Sequence, residues 1–178
     1  MPTRAMRTRS LVSVMICTGM ILAALVGCAP EPKPSPTPTP AFASEAEAFA
    51  AAEEVYRAYN DALNAKRGGD AKADPTMYLT GLALESDIDA AQYFDQRGLQ
   101  LLGDGQIIFF HGESAAMDAG SITAEVCLDV SGTRVMTKDG VDETPVDRMP
   151  RVLLTVTFVW PEPELQIANS SLVEGEQC

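Results

Sequence analysis

Two apolar periods divide the chain. Phe49, Ala52, Tyr56, Tyr59 and Leu63 recur at three- and four-residue steps, the spacing of one helix face. Ahead of them Ser44-Glu45-Ala46-Glu47 fits a capping box, in which the serine oxygen and the glutamate three residues on satisfy free amide donors. Lys66 and Arg67 suit the negative end of the helix dipole, and Gly68-Gly69 stops it. The pattern predicts one long amphipathic helix over 44–67. Asp74 before Pro75 is a second start signal, predicting a short helix to about Ala83. A third helix, from about Glu85 to Arg97, would carry Ile88, Ala91 and either Tyr93 or Phe94 inward and end at Gly98.

From Gln106 the period falls to two. Ile107-Ile108-Phe109-Phe110 predicts a short apolar strand. Ile122, Ala124, Val126, Leu128 and Val130 alternate with Thr123, Glu125, Cys127 and Asp129, a strand with one buried and one exposed face. Thr133–Thr137 reads as a shorter strand closed by the turn pair Asp139-Gly140. Val152, Leu154, Val156, Phe158 and Trp160 line one face of the longest strand, and a last strand runs from Leu165 to about Val173. Helices first and antiparallel strands afterwards give an α+β class. A long N-terminal helix and short helices pack on a curved antiparallel sheet of four to five strands. Residues 42–178 make one domain of ordinary size.

The first 41 residues have a different character. Arg4, Arg7 and Arg9 precede an apolar run from Leu11 to Val26. That run is shorter than the roughly 20 residues a membrane span needs, and its flanks are those of a secretory signal peptide. Leu25-Val26-Gly27-Cys28 resembles the lipobox of bacterial lipoproteins. The resemblance implies cleavage after residue 27 and attachment of a diacylglyceryl group to the Cys28 thiol. An uncleaved helix with a chance cysteine is the alternative. Two acyl chains suffice for stable anchoring, at about 0.8 kcal/mol per buried methylene. Residues 28–41 then form the lipid anchor and a tether, with proline at every second position from 30 to 40. Such a run favours polyproline II at about 3.1 Å per residue, a semi-rigid spacer on the order of 40 Å. Ser35, Thr37 and Thr39 are candidate O-glycosylation positions within it.

Removing residues 1–27 takes three of the 13 basic residues and none of the 25 acidic ones, so the net charge moves from −12 to −15. Phosphate backbones demand a basic surface, so nucleic acid is excluded as a partner. Of four cysteines, Cys17 leaves with the signal and Cys28 takes the lipid. Cys127 and Cys178 remain, and outside the cytoplasm a pair is expected to form a disulfide. Cys127 sits on the odd, outer face of its strand, and a bond to Cys178 would hold the terminal residue there. No Cys-x-x-Cys occurs and His111 is the only histidine, so no metal site and no cofactor is expected. Asp139, Asp142, Glu143 and Asp147 lack the spacing of a calcium loop and read as a solvated hairpin.

The element order over residues 44–173 resembles the nuclear transport factor 2-like superfamily, the cone-shaped fold of ketosteroid isomerase and scytalone dehydratase. Tyr78-Leu79-Thr80-Gly81, Val126 to Ser131 and Gly175-Glu176-Gln177-Cys178 are similar to stretches in a group of secreted lipoproteins from high-GC Gram-positive bacteria, which lends no chemistry. A cone fold implies a pocket between long helix and sheet, for which Tyr56, Tyr59, Asp61, Asp95 and His111 are the polar candidates. By helical angle Asp61 does not share the tyrosines' face. No nucleophile–base motif joins them, so no catalytic residue is assigned. The expected function is a lipid-anchored protein on the outer face of the cell membrane, a non-catalytic binding or scaffold module. Its partners would be the membrane, through the lipid on Cys28, and an envelope protein or a small apolar ligand. The alternative is a small-molecule enzyme or carrier using the cone cavity.

Overall fold

The computed structural model describes residues 42–160, 164–175 and 178, all within the unit Thr37–Cys178. The expected signal peptide, the expected lipid on Cys28 and the alternating-proline segment lie outside the described residues.

The Ser44 hydroxyl accepts the Glu47 N–H at 3.2 Å, while the Glu47 carboxylate accepts the Ala43 N–H at 2.9 Å. Both amides would otherwise lack a partner, and the long helix α1 (Glu45–Arg67) starts here. It buries Ala48, Ala52, Tyr56 and Asn60, every fourth residue. Small alanines on the first two turns let the helix lie close to the sheet, and the bulk arrives with Tyr56. Asn60 and Asn64, one turn apart, clamp the backbone of Gly105: both side-chain amides donate to its carbonyl, at 3.1 and 2.9 Å, and its N–H donates to Asn64 Oδ1 at 3.0 Å.

The Asp74-Pro75 start signal yields only a single 3-10 turn, Pro75–Tyr78, capped by the Asp74 carboxylate. The expected helix to Ala83 does not form. Leu79 turns extended and bridges Ile167 in parallel, and the Thr80 N–H donates to the Ile167 carbonyl at 2.9 Å. Leu79 is 4% exposed, so docking its side chain outweighs another helical turn. Helix α2 then runs from Gly81 to Gln96, four residues earlier than the expected start at Glu85. A strand that the residue pattern did not predict, β1 (Leu99–Leu102), follows directly.

The remaining strands are β2 (Gln106–Ala116), β3 (Ser121–Asp129), β4 (Arg134–Thr137), β5 (Arg151–Val159) and β6 (Gln166–Leu172). Two antiparallel sheets result, one of four strands in the order β2-β3-β5-β6 and one of β1 with β4. The fold is α+β, and its sheet is not closed. In place of one sheet of four to five strands, β4 leaves its neighbours in sequence and pairs with β1, Leu101 opposite Val135. Strand β2 also extends past the expected Phe110 to Ala116. Bulges between Ile107 and Phe109 and between Gly112 and Ser114 keep its register with β3.

The alternation in β3 and β5 is carried into the sheet unchanged. Ile122 faces Phe158, Ala124 faces Val156, and Val126 faces Leu154, all on the side that α1 covers. Phe110 and Phe158 lie 6.1 Å apart between ring centroids, each 6.5 Å from Tyr56, and this aromatic cluster anchors α1 to the sheet. On the opposite face, Thr123 meets Thr157, Glu125 meets Thr155, and Asp129 meets Arg151. Cys127 interrupts that polar face. It is bonded to Cys178 with a Cα–Cα distance of 5.9 Å, and it is fully buried.

Candidate functional site

Helices α1 and α2 are not in contact along their full length. Between them, from β6 at one end to β1 at the other, lie a cleft of about 320 Å³ and a smaller chamber of about 170 Å³. Tyr59 and Asp87 line both. The inner chamber is bounded by Tyr56, Leu79 and Ile167, and the outer cleft by Leu63, Phe94, Leu101 and Arg67.

Helical spacing explains which groups arrive there. Tyr56, Tyr59, Leu63 and Arg67 fall three or four residues apart on α1. On α2 the inward set is Ala83, Asp87, Ala90 and Phe94, at the same steps. Of the expected inward set, Ile88 and Tyr93 are displaced from this phase, whereas Ala91 and Phe94 both line the cleft. Ile88 is 44% exposed, Ala91 is exposed at the cleft rim, and Tyr93 points outward beneath the Arg97 guanidinium, 4.3 Å from its ring centroid. The phase was hidden because a carboxylate occupies the middle of the inward stripe.

The electrostatics of the cleft follow from burial. Loss of water raises the Tyr56 hydroxyl well above its ordinary value, and the neighbouring Tyr59, 5.9 Å away between centroids, adds to the effect. Tyr59 is raised by burial first and then by the charge of Asp87. Burial lowers Arg67, against the opposing pull of Tyr59, Asp104 and Asp87. Both shifts favour the protonated phenol, which can donate a hydrogen bond. Tyr56 is 2% exposed, and what remains accessible of it faces the inner chamber.

The other candidates are dispersed. Asp61 lies on the outward side of α1, as its helical angle requires. Asp95 is exposed and pairs with Lys138 at 3.4 Å. His111, expected at a strand end, sits mid-strand in β2 on the outer face opposite Glu125. In the acidic hairpin Asp142 accepts the Thr144 N–H at 2.9 Å and faces Arg134 at 3.8 Å. Among the described residues no three His, Cys, Asp or Glu side chains converge as metal ligands. Asp87, which was not among the sequence candidates, is the carboxylate placed between the two tyrosines and the arginine. Its signal was a charged residue four after Ala83 on a helix whose other inward positions are apolar.

No family model and no curated protein matches the sequence. Among solved structures, the chain is similar to the crystal structure of the intermembrane-space region of the chloroplast protein ARC6. The likeness has 14% identity and a TM-score of 0.50, and it covers 70% of this chain and 95% of that one. Aln2 from a Streptomyces species is similar at 14% identity and a TM-score of 0.42, covering 71% and 89%. The likeness to the ARC6 region is one of fold alone.

Proposed function

We propose that this chain is a lipid-anchored protein on the outer face of the cell membrane whose domain is a binding or scaffold module, not an enzyme. The observation that carries the reading is the bond from Cys127 to Cys178. Such bonds persist outside the cytoplasm, and this one agrees with a basic n-region, an apolar run and a lipobox-like cysteine at the other end of the chain. Order of elements supports kinship with the nuclear transport factor 2-like superfamily. The tether of alternating prolines would hold the domain clear of the lipid surface.

Dispersal of Asp61, Asp95 and His111 supports binding over catalysis, since among the described residues Asp87 is the one carboxylate lining the chamber that the two phenols bound. A second reading, a small-molecule carrier, is favoured by the apolar cleft between α1 and α2. The test of anchoring is metabolic labelling with palmitate in the native host. Wild type takes up the label and the Cys28→Ala variant does not. Equal labelling of both, or none in either, overturns the reading.

A further inference from the structure

We propose that the cleft between α1 and α2 binds an organic carboxylate with a compact apolar body, its head on the Arg67 guanidinium and its body against Leu63, Phe94 and Leu101. The inference deepens the binding reading above and rests on it.

Arg67 is short of partners. Its guanidinium has five N–H donors, lies partly buried, and among the described residues makes one long hydrogen bond, to Asn64 Oδ1 at 3.5 Å. Among the described residues no carboxylate stands within ion-pair distance of it. A carboxylate matches the guanidinium fork with two parallel hydrogen bonds, which an ammonium or an amide cannot. Beyond the head, Leu63, Ala90, Ala91, Phe94 and Leu101 give a mainly apolar lining with Tyr59 and Gln100 as its neutral polar members, and a volume of about 320 Å³ sits at the small end of ligand pockets.

A second observation is independent of Arg67. Tyr56 is almost wholly buried, yet it bounds the chamber behind the cleft. Among the described residues no fully enclosed polar side-chain atom lacks a partner, so the chamber is where a protonated phenol can still find an acceptor. An oxygen of a ligand reaching inward would supply one, with Tyr59 offering a second protonated hydroxyl.

Charge balance also distinguishes the cleft. The chain carries −12 overall, so most of its surface repels anions. In the cleft lining, Lys66 and Arg67 outnumber the one carboxylate, Asp87. Asp87 opposes an anionic head, as does Asp104, which lies outside the lining but acts on Arg67, so the fit rests on the guanidinium's unfilled donors.

The experiment compares octanoate, octanamide and octylammonium, which share one chain length and differ in head charge. The full mature chain is placed in phosphatidylcholine nanodiscs, and binding is read by titration calorimetry against empty discs. Octanoate is expected to bind about tenfold more tightly than octanamide, the weight of one charge-assisted pair. Arg67→Gln removes that preference. Ala91→Phe, which fills the cleft from an exposed position, weakens octanoate and octanamide together. Tighter binding of octylammonium, equal binding of acid and amide, no binding of any probe, or octanoate binding untouched by Ala91→Phe each overturns the proposal. The lipid on Cys28 is scored separately by mass, so an empty cleft leaves an anchored scaffold standing and the two failures are distinguishable.

Discussion

Replacing both Cys127 and Cys178 by alanine removes a cross-link that closes a loop of 51 residues. In the chain-entropy account a loop of that length contributes about 4 kcal/mol, by restricting the unfolded chain. A domain of this size is stable by about 5–15 kcal/mol in total, so the loss is a large fraction. At roughly 3–4 °C per kcal/mol, the unfolding midpoint should fall by about 10–15 °C. The local consequence is specific. The Val173 N–H donates to the Leu153 carbonyl at 2.9 Å, and Cys178 Sγ lies 3.5 Å from the Val152 carbonyl. Val173 and Cys178 therefore lie against the outer face beside Leu153 and Cys127. Thermal unfolding by circular dichroism, with hydrogen exchange of Leu153 and Val173, measures both effects. A midpoint change under about 3 °C, or two free thiols titrating in the oxidised protein, would refute the reasoning.

The same structure sets three further outcomes. A Cβ at Gly112 would overlap the Phe49 ring, so Gly112→Ala should destabilise by about 1–3 kcal/mol; denaturant titration should show partial recovery in the Phe49→Leu background. Asn64→Ala leaves the Gly105 N–H without its acceptor and should cost about 1–3 kcal/mol, whereas Asn60→Ala removes only one of two donors to the same carbonyl and should cost less. Tyr56 is raised in the folded state, so its contribution is complete below about pH 10, where the unfolded phenol titrates. Above that pH the unfolded chain loses its proton first, and stability falls by about 1.4 kcal/mol per pH unit until the native phenol ionises; in alkaline unfolding series Tyr56→Phe should flatten that limb, and an unchanged slope would count against a buried phenol.

Legibility followed the range of the interactions. Helix α1 could be read because its cap, its apolar period and its stop are all local, from Ser44 to Gly68. Strands β3 and β5 could be read because a half-buried antiparallel pair writes its two faces directly into alternate residues. The disulfide followed from two cysteines and the side on which Cys127 falls. What failed depended on distant partners. Leu99-Gln100-Leu101-Leu102 becomes a strand only because Arg134–Thr137 returns to it, more than 30 residues on. Leu79 leaves its helix to bridge Ile167, a contact across most of the domain. The segment His111–Ala116 is polar and small, and it is held as strand by β3 through two bulges. In the cleft, the tyrosines could be read from α1 alone. Asp87 could not, because which face of α2 turns inward is set by its packing against β6; Arg67 continues the α1 stripe four residues after Leu63, but its charge in the last turn reads first as a partner of the helix dipole.

Carriage of the domain on a lipid outside the cytoplasm is tested most directly by mass spectrometry of protein extracted from the membranes of the native host. The mature chain should begin at Cys28 with a diacylglyceryl group on its sulfur and should show the 127–178 peptide pair as a disulfide. A soluble chain that still carries residues 1–27, with Cys28 unmodified and Cys127 and Cys178 as free thiols, would contradict it.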